Sequence, residues 1–104
     1  VDTFCPLGPW IATADEIEDV SNLELVTEIN GEERQRAKVG DLIFDIPTLI
    51  ETMSRTMTLL PGDIIATGTP VGVGIGFQPP KYLKSGDTMR VSITGLGALE
   101  NPVG

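Results

Sequence analysis

Residues 23–29 (LELVTEI) alternate apolar and polar side chains, Asn30-Gly31 follows at once, and residues 32–38 (EERQRAK) return as a polar run. Asn-Gly accepts the positive φ angles of a tight I′ turn, whose twist matches that of the flanking strands. The pattern predicts a β-hairpin with its turn at residues 30–31. It is the segment that leaves the chain the least freedom.

The period changes after Asp45. Ile46, Leu49, Ile50, Met53 and Met57 recur at helical spacing, Asp45 is placed to cap, and Pro47 sits in the first turn, where its missing N–H costs little. A helix is expected over residues 46–57. Residues 64–67 then read as a buried strand, residues 88–93 (TMRVSI) as an alternating strand, and the segment opened by residues 95–97 as a last short β element through Leu99 and Val103. Residues 4–12 (FCPLGPWIA) are apolar but punctuated by Pro6, Gly8 and Pro9, which predicts an extended segment with a short strand at residues 10–12. One brief helical turn is expected over residues 16–19, capped by Thr13 or Asp15, and another over residues 82–84. The sum is a mainly β domain with one principal helix, an α+β arrangement.

At 104 residues the chain supports one small domain with a modest core. Fifteen acidic residues against seven basic ones leave a net charge of −8, which repels phosphate backbones and anionic lipid surfaces. Nucleic acid and membrane are therefore not expected as partners. No apolar run approaches the roughly 20 residues of a membrane span, so a cytoplasmic setting is expected. Cys5 cannot form an internal disulfide, and beside Phe4, Pro6 and Leu7 it reads as a small packed residue. Histidine is absent, which removes imidazole bases and His-containing metal sites from this chain.

Residues 61–76 (PGDIIATGTPVGVGIG) end an apolar run in a loop with five glycines and two threonines. The Gly72-x-Gly74-x-Gly76 spacing lacks the Gly-Lys-Ser/Thr ending of a phosphate loop and opens no helix. Gly68 and Thr69 offer a backbone N–H and a hydroxyl that could hold a carboxylate or ketone oxygen. A tight loop whose glycines only satisfy backbone geometry fits the spacing equally. Glu16-Ile17-Glu18, flanked by Asp15 and Asp19, is the dense acidic cluster, and it reads as a solvated loop because no EF-hand pattern surrounds it. Gly62-Asp63 and Gly86-Asp87 read as matching turns stabilised by the aspartate. Arg34, Arg36 and Lys38 form a basic stripe assigned to a solvent-facing strand edge.

Taken in order, residues 2–10 (DTFCPLGPW), Asn30-Gly31-Glu32, residues 60–74 (LPGDIIATGTPVGVG), residues 82–87 (YLKSGD) and Gly95-Leu96-Gly97 resemble the fumarylacetoacetate hydrolase family along essentially the whole chain. The resemblance implies a mixed β-roll of that family's C-terminal type, incomplete here, so that residues 1–104 form the C-terminal part of one catalytic domain. It implies hydrolysis of carbon–carbon bonds in small dioxo acids of the acylpyruvate or fumarylacetoacetate type, within aromatic or amino-acid catabolism, or else isomerisation or decarboxylation of 2-hydroxyhepta-2,4-diene-1,7-dioate-type acids. It further implies a homodimer, Mg²⁺ or Mn²⁺, and a substrate-binding role for Thr69 with Gly68 beside it. The family's metal ligands and active-site lysine fall before Val1, and Glu16-Ile17-Glu18 lies after the GPW block and does not take their place. Neither a catalytic residue nor a metal ligand is therefore expected in this chain, and the 104 residues alone are expected to be inactive. Val1 with no initiator methionine adds the expectation of a longer parent. The rival expectation is an acidic β domain that binds a partner or small anion without chemistry.

Overall fold

In the computed structural model, which describes residues 2–104, four strands form one antiparallel sheet in the order β2-β1-β3-β4. They are β1 (Glu24–Ile29), β2 (Glu32–Lys38), β3 (Thr88–Ile93) and β4 (Gly97–Pro102), and the single α-helix among the described residues is α1 (Ile46–Ser54). The class is thus mainly β with one helix, as the patterning predicts.

The hairpin forms where Asn-Gly requires it, with Asn30 at φ 51° and Gly31 at φ 80°. Asn30 also ties the hairpin to β3. Its side chain donates to Asp87 Oδ1 (2.8 Å) and accepts from Thr88 N–H (2.8 Å), while its own N–H donates to the Thr88 carbonyl (2.9 Å). Helix α1 starts at the predicted cap, Asp45, whose carboxylate accepts from Thr48 N–H (2.8 Å). The Thr48 side chain first, and then this N–H, hold the Asp45 carboxyl below its ordinary value. The helix stops at Ser54 rather than at Met57. Thr52, Ser54 and Thr56 each return a hydroxyl to a backbone carbonyl, which offers that last turn an alternative to the helical ladder.

Residues opposite one another in the ladders share a face, so the register sorts the sheet into two surfaces. Leu25, Thr27 and Ile29 of β1 stand beside Ile93, Val91 and Met89 of β3, which in turn stand beside Gly97, Leu99 and Asn101 of β4. This face is apolar. The opposite one carries Glu24, Glu28, Arg36, Arg90 and Glu100, with Arg36 paired to Glu24 and Glu33 and Arg90 paired to Glu28 (3.6 Å). Arg36 and Lys38 stand exposed on β2, an edge strand of the sheet, as the spacing predicts, with Arg36 held in ion pairs. Arg34 leaves this stripe. Thr27 pairs with Gln35 but Glu28 pairs with Glu33, so Arg34 is the extra residue of a β-bulge. The bulge breaks the alternation, and Arg34 and Gln35 are both half-buried in succession.

Ile29 is the one buried hydrophobic residue among those described, with Thr27 buried beside it. The accessible surface is 8119 Å², whereas a compact monomer of this mass has about 5,700 Å². The apolar face of the sheet is only partly covered. That explains several departures from the expected pattern.

Residues 64–67 do not form a buried strand: no ladder claims them, and Ile64 is 67% exposed. Residues 10–12 form no strand either, and Trp10 packs against Gly97, where an added Cβ would come 2.6 Å from the indole. Cys5, expected to be packed, is exposed in the same segment. The expected turn at residues 82–84 is absent. The Lys84 N–H and carbonyl are instead engaged by Asp87, so the turn falls at residues 85–86. The helical turn expected over residues 16–19 is replaced by two 3-10 turns, Ala14–Glu16 capped by Thr13 and Val20–Asn22 capped by Asp19.

Candidate functional site

The glycine-threonine loop begins at a turn built by Asp63, which accepts from Leu60 N–H (2.7 Å) and returns its own N–H to the Leu60 carbonyl (3.0 Å), with Gly62 at φ +97°. Asp87 repeats the device on Lys84 (2.8 and 3.0 Å), with Gly86 at φ +91°. Both aspartates therefore have the turn-forming role read from their spacing. The loop then crosses to β2 and docks there. At Gly72, where φ is +110°, an added Cβ would stand 2.0 Å from the Arg34 carbonyl and 2.9 Å from Gln35 Cγ. The backbone touches the strand, and only glycine permits the approach.

Docking delivers Thr69. Gln35 Nε2 donates to Thr69 Oγ1 at 2.8 Å and to the Pro70 carbonyl at 3.0 Å. Farther along, Phe77 lies between two cations, with the Arg34 guanidinium 5.4 Å and the Lys81 ammonium 4.9 Å from its ring centre. Lys81 is also paired with Glu32, and Lys81 N–H donates to the Gly74 carbonyl (2.9 Å), so the far end of the loop is tied to β2 as well. Arg34 Nε is buried with no partner among the described residues.

Thr67, Gly68, Thr69 and Pro70 form one wall of an open cavity of about 590 Å³. The sheet supplies the floor through Leu25, Ala37 and Ile93. Leu42, Ile43 and Phe44 also line it, with Ile46 and Leu49 of α1, the helix that starts at the Asp45 cap. Val20 and Leu23 line it too, and Val20 begins the turn capped by Asp19. The Asp19 carboxyl is held below its ordinary value by the Ser21 hydroxyl and then by the Ser21 backbone N–H. The cavity is apolar on most sides, with hydroxyls and backbone at one wall and Lys38 and Asp41 at another. Gly68 holds φ +102° and an added Cβ would meet nothing within 4 Å, so conformation rather than space selects glycine. Such a chamber suits a small molecule with a hydrocarbon body and an oxygen-bearing end.

The two residues singled out from sequence, Gly68 and Thr69, are thus brought together on one cavity wall. Gln35 was not legible. It sits in a uniformly polar run, Glu32-Glu33-Arg34-Gln35-Arg36, and only the bulge turns it toward the loop.

The acidic cluster is otherwise engaged. Glu16 accepts from the Thr13 N–H (2.9 Å) and hydroxyl (3.2 Å), and Asp19 accepts from Ser21 and Asn22. Among the described residues no three His, Cys, Asp or Glu side chains converge as metal ligands would, so the donors present do not fit a divalent-metal site.

Against this geometry the relationships of the chain become informative. Oxaloacetate tautomerase YisK of Bacillus subtilis (strain 168) is 51% identical over 104 residues, which is all of this chain and 35% of the tautomerase. The fumarylacetoacetate hydrolase of the psychrophile Exiguobacterium antarcticum superposes with a TM-score of 0.94 at 48% identity, over 99% of this chain and 37% of that one. Maleylpyruvate hydrolase from Sphingobium sp. SYK-6, in complex with manganese(II) ion and pyruvate, superposes with a TM-score of 0.87 at 48% identity, over 97% and 36%. The chain therefore spans about a third of the length of these relatives. The family model described as fumarylacetoacetate (FAA) hydrolase C-terminal matches residues 1–104, and the chain belongs to that family.

Proposed function

We propose that this chain supplies the substrate-binding wall of a divalent-metal-dependent enzyme that hydrolyses a carbon–carbon bond in a small dioxo acid of the acylpyruvate or fumarylacetoacetate type. The observation that carries the reading is the placement of Thr69 and Gly68 among the lining of a mostly apolar cavity large enough for such an acid. The Thr69 hydroxyl donates to a carboxylate or oxo oxygen, the Gly68 backbone supports it, and the walls from α1 and the sheet take the hydrocarbon part. A second reading, isomerisation between keto and enol forms, draws on the 51% identity to an oxaloacetate tautomerase. It uses the same oxygen-binding wall.

Mg²⁺ or Mn²⁺, which we assign to the complete enzyme, belongs on ligands outside these residues, since no three acidic groups here converge and Glu16 and Asp19 of the acidic cluster are committed to caps. The same reading gives the complete domain a mixed β-roll, assembled as a homodimer in the cytoplasm, with neither nucleic acid nor membrane as partner. Assay of the full-length protein on an acylpyruvate and on oxaloacetate separates the two activities. Thr69→Val, which keeps the shape and removes the hydroxyl, is expected to lower kcat/KM about tenfold with metal affinity unchanged. An unaltered kcat/KM would reject the assignment.

A further inference from the structure

We propose that Gln35 is a positioning residue that turns the Thr69 hydroxyl proton toward the ligand, so that the site favours ligand ends offering acceptor oxygens. The proposal rests on the reading that Thr69 touches the substrate, and it concerns how that contact acquires a direction.

A threonine hydroxyl has one proton to give and two lone pairs, and alone it serves donor and acceptor ligands alike. Gln35 biases that choice by occupying one lone pair and leaving the proton free. The Pro70 carbonyl can only accept, so the amide group facing it at 3.0 Å must be the NH₂. The same nitrogen lies 2.8 Å from Thr69 Oγ1 and presents its second N–H there. Thr69 Oγ1 is thereby an acceptor toward Gln35, and its own proton points elsewhere. Since Thr69 lines the cavity wall, that proton is available to a ligand. A carboxylate or ketone oxygen accepts it, whereas an amide NH₂ presented at the same place has only the one remaining lone pair to reach.

Two features make the arrangement rigid. Gln35 follows the bulged Arg34 on β2 and is half-buried, which restricts its side chain. The loop cannot lift easily, because Gly72 lies against the Arg34 carbonyl. The two hydrogen bonds of Gln35 thus join a strand to Thr69, which meets the ligand, and to Pro70 beside it.

The test measures binding of pyruvate and of pyruvamide to the full-length protein with Mn²⁺ in excess, for wild type, Gln35→Met, Thr69→Val and the double variant. Gln35→Met is expected to weaken pyruvate about fivefold while pyruvamide changes less than about twofold. The double variant is expected to bind pyruvate no more weakly than Thr69→Val alone, because Gln35 acts through that hydroxyl. Equal weakening of both ligands, or additive losses in the double variant, would mean that Gln35 only supports the fold. That outcome overturns the proposal. Wild-type pyruvate binding by Gln35→Met, with Thr69→Val impaired, overturns it too and leaves the role of Thr69 standing. If Thr69→Val is unimpaired, the reading beneath the proposal has failed. Should Gln35→Met unfold, Gln35→Glu keeps the length and takes the Thr69 proton itself. It must then lower the pyruvate-to-pyruvamide preference when Thr69 is present and leave it unchanged in Thr69→Val.

Discussion

The two Gly-Asp turns are built alike and lead to opposite outcomes. In each, the aspartate accepts from the N–H three residues earlier and returns its own N–H to the same residue's carbonyl, with the preceding glycine at positive φ. After Asp87 the chain enters β3 and pairs on both sides, with β1 and β4. After Asp63 it runs through Ile64 and Ile65 without a ladder and first meets the sheet where Gln35 holds Thr69. A turn sets the direction of the chain. Whether a strand follows depends on a partner edge being within reach, since backbone N–H and C=O groups gain from β structure only when paired.

The strongest way to break this contrast is at the docking point. Gly72→Ala places a methyl against the Arg34 carbonyl at a φ that L-residues avoid, and should cost about 2 to 3 kcal/mol if the loop stays docked. The loop should release instead, so pyruvate binding by the full-length protein falls more than tenfold while the hairpin amides keep their hydrogen-exchange protection. Protection lost across β1 and β2 would show that the sheet needs the loop.

A smaller effect sharpens the comparison between the turns. Asp87→Ala removes the Lys84 turn bond and the Asn30 bond together, and should lower the melting temperature by about 5 °C. Asp63→Ala loses a turn that leads into no strand and should lower it by less than half as much. Equal shifts would mean that the loop carries as much stability as β3.

The smallest effect is on acid stability. The Asp87 carboxyl lies below its ordinary value of 3.8, through Asn30 first and then the Lys84 N–H. A carboxylate with a lowered folded-state pKa adds stability that is fully present above the unfolded value and is lost as pH falls through the folded one. Acid titration followed by circular dichroism should therefore show wild type losing stability below about pH 3.8, with Asp87→Asn showing a shallower acid limb. An unchanged limb would assign acid sensitivity to other carboxylates.

Much of this was legible in local chemistry. Asn30-Gly31 can hardly be anything but a hairpin turn, Asp45 and Pro47 mark a helix start, and each glycine before an aspartate marks a turn, because these signals act within four residues. Thr69 and Gly68 were legible as candidates because a hydroxyl beside a glycine at the end of an apolar run is chemically conspicuous. Gln35 was not, since its role depends on a bulge that shifts register opposite Thr27 and Glu28. Residues 64–67 have the composition of a buried strand and miss that state for want of a pairing edge. Cys5 and Trp10 have the composition of core residues and lie on a sheet face that this chain only partly covers.

Turns, caps, the helix start and the strand periods were determined by the amino-acid sequence itself, because each is decided by backbone conformations and hydrogen bonds between near neighbours. Only the tertiary structure decided which apolar segment became a strand, which arginine left the charged face, and that a glutamine at position 35 sits behind Thr69. Those outcomes turn on strand register and on contacts between residues far apart in sequence, such as the Gln35–Thr69 and Asn30–Asp87 bonds, 34 and 57 positions apart. Such contacts exist only once register and loop docking bring the chain together.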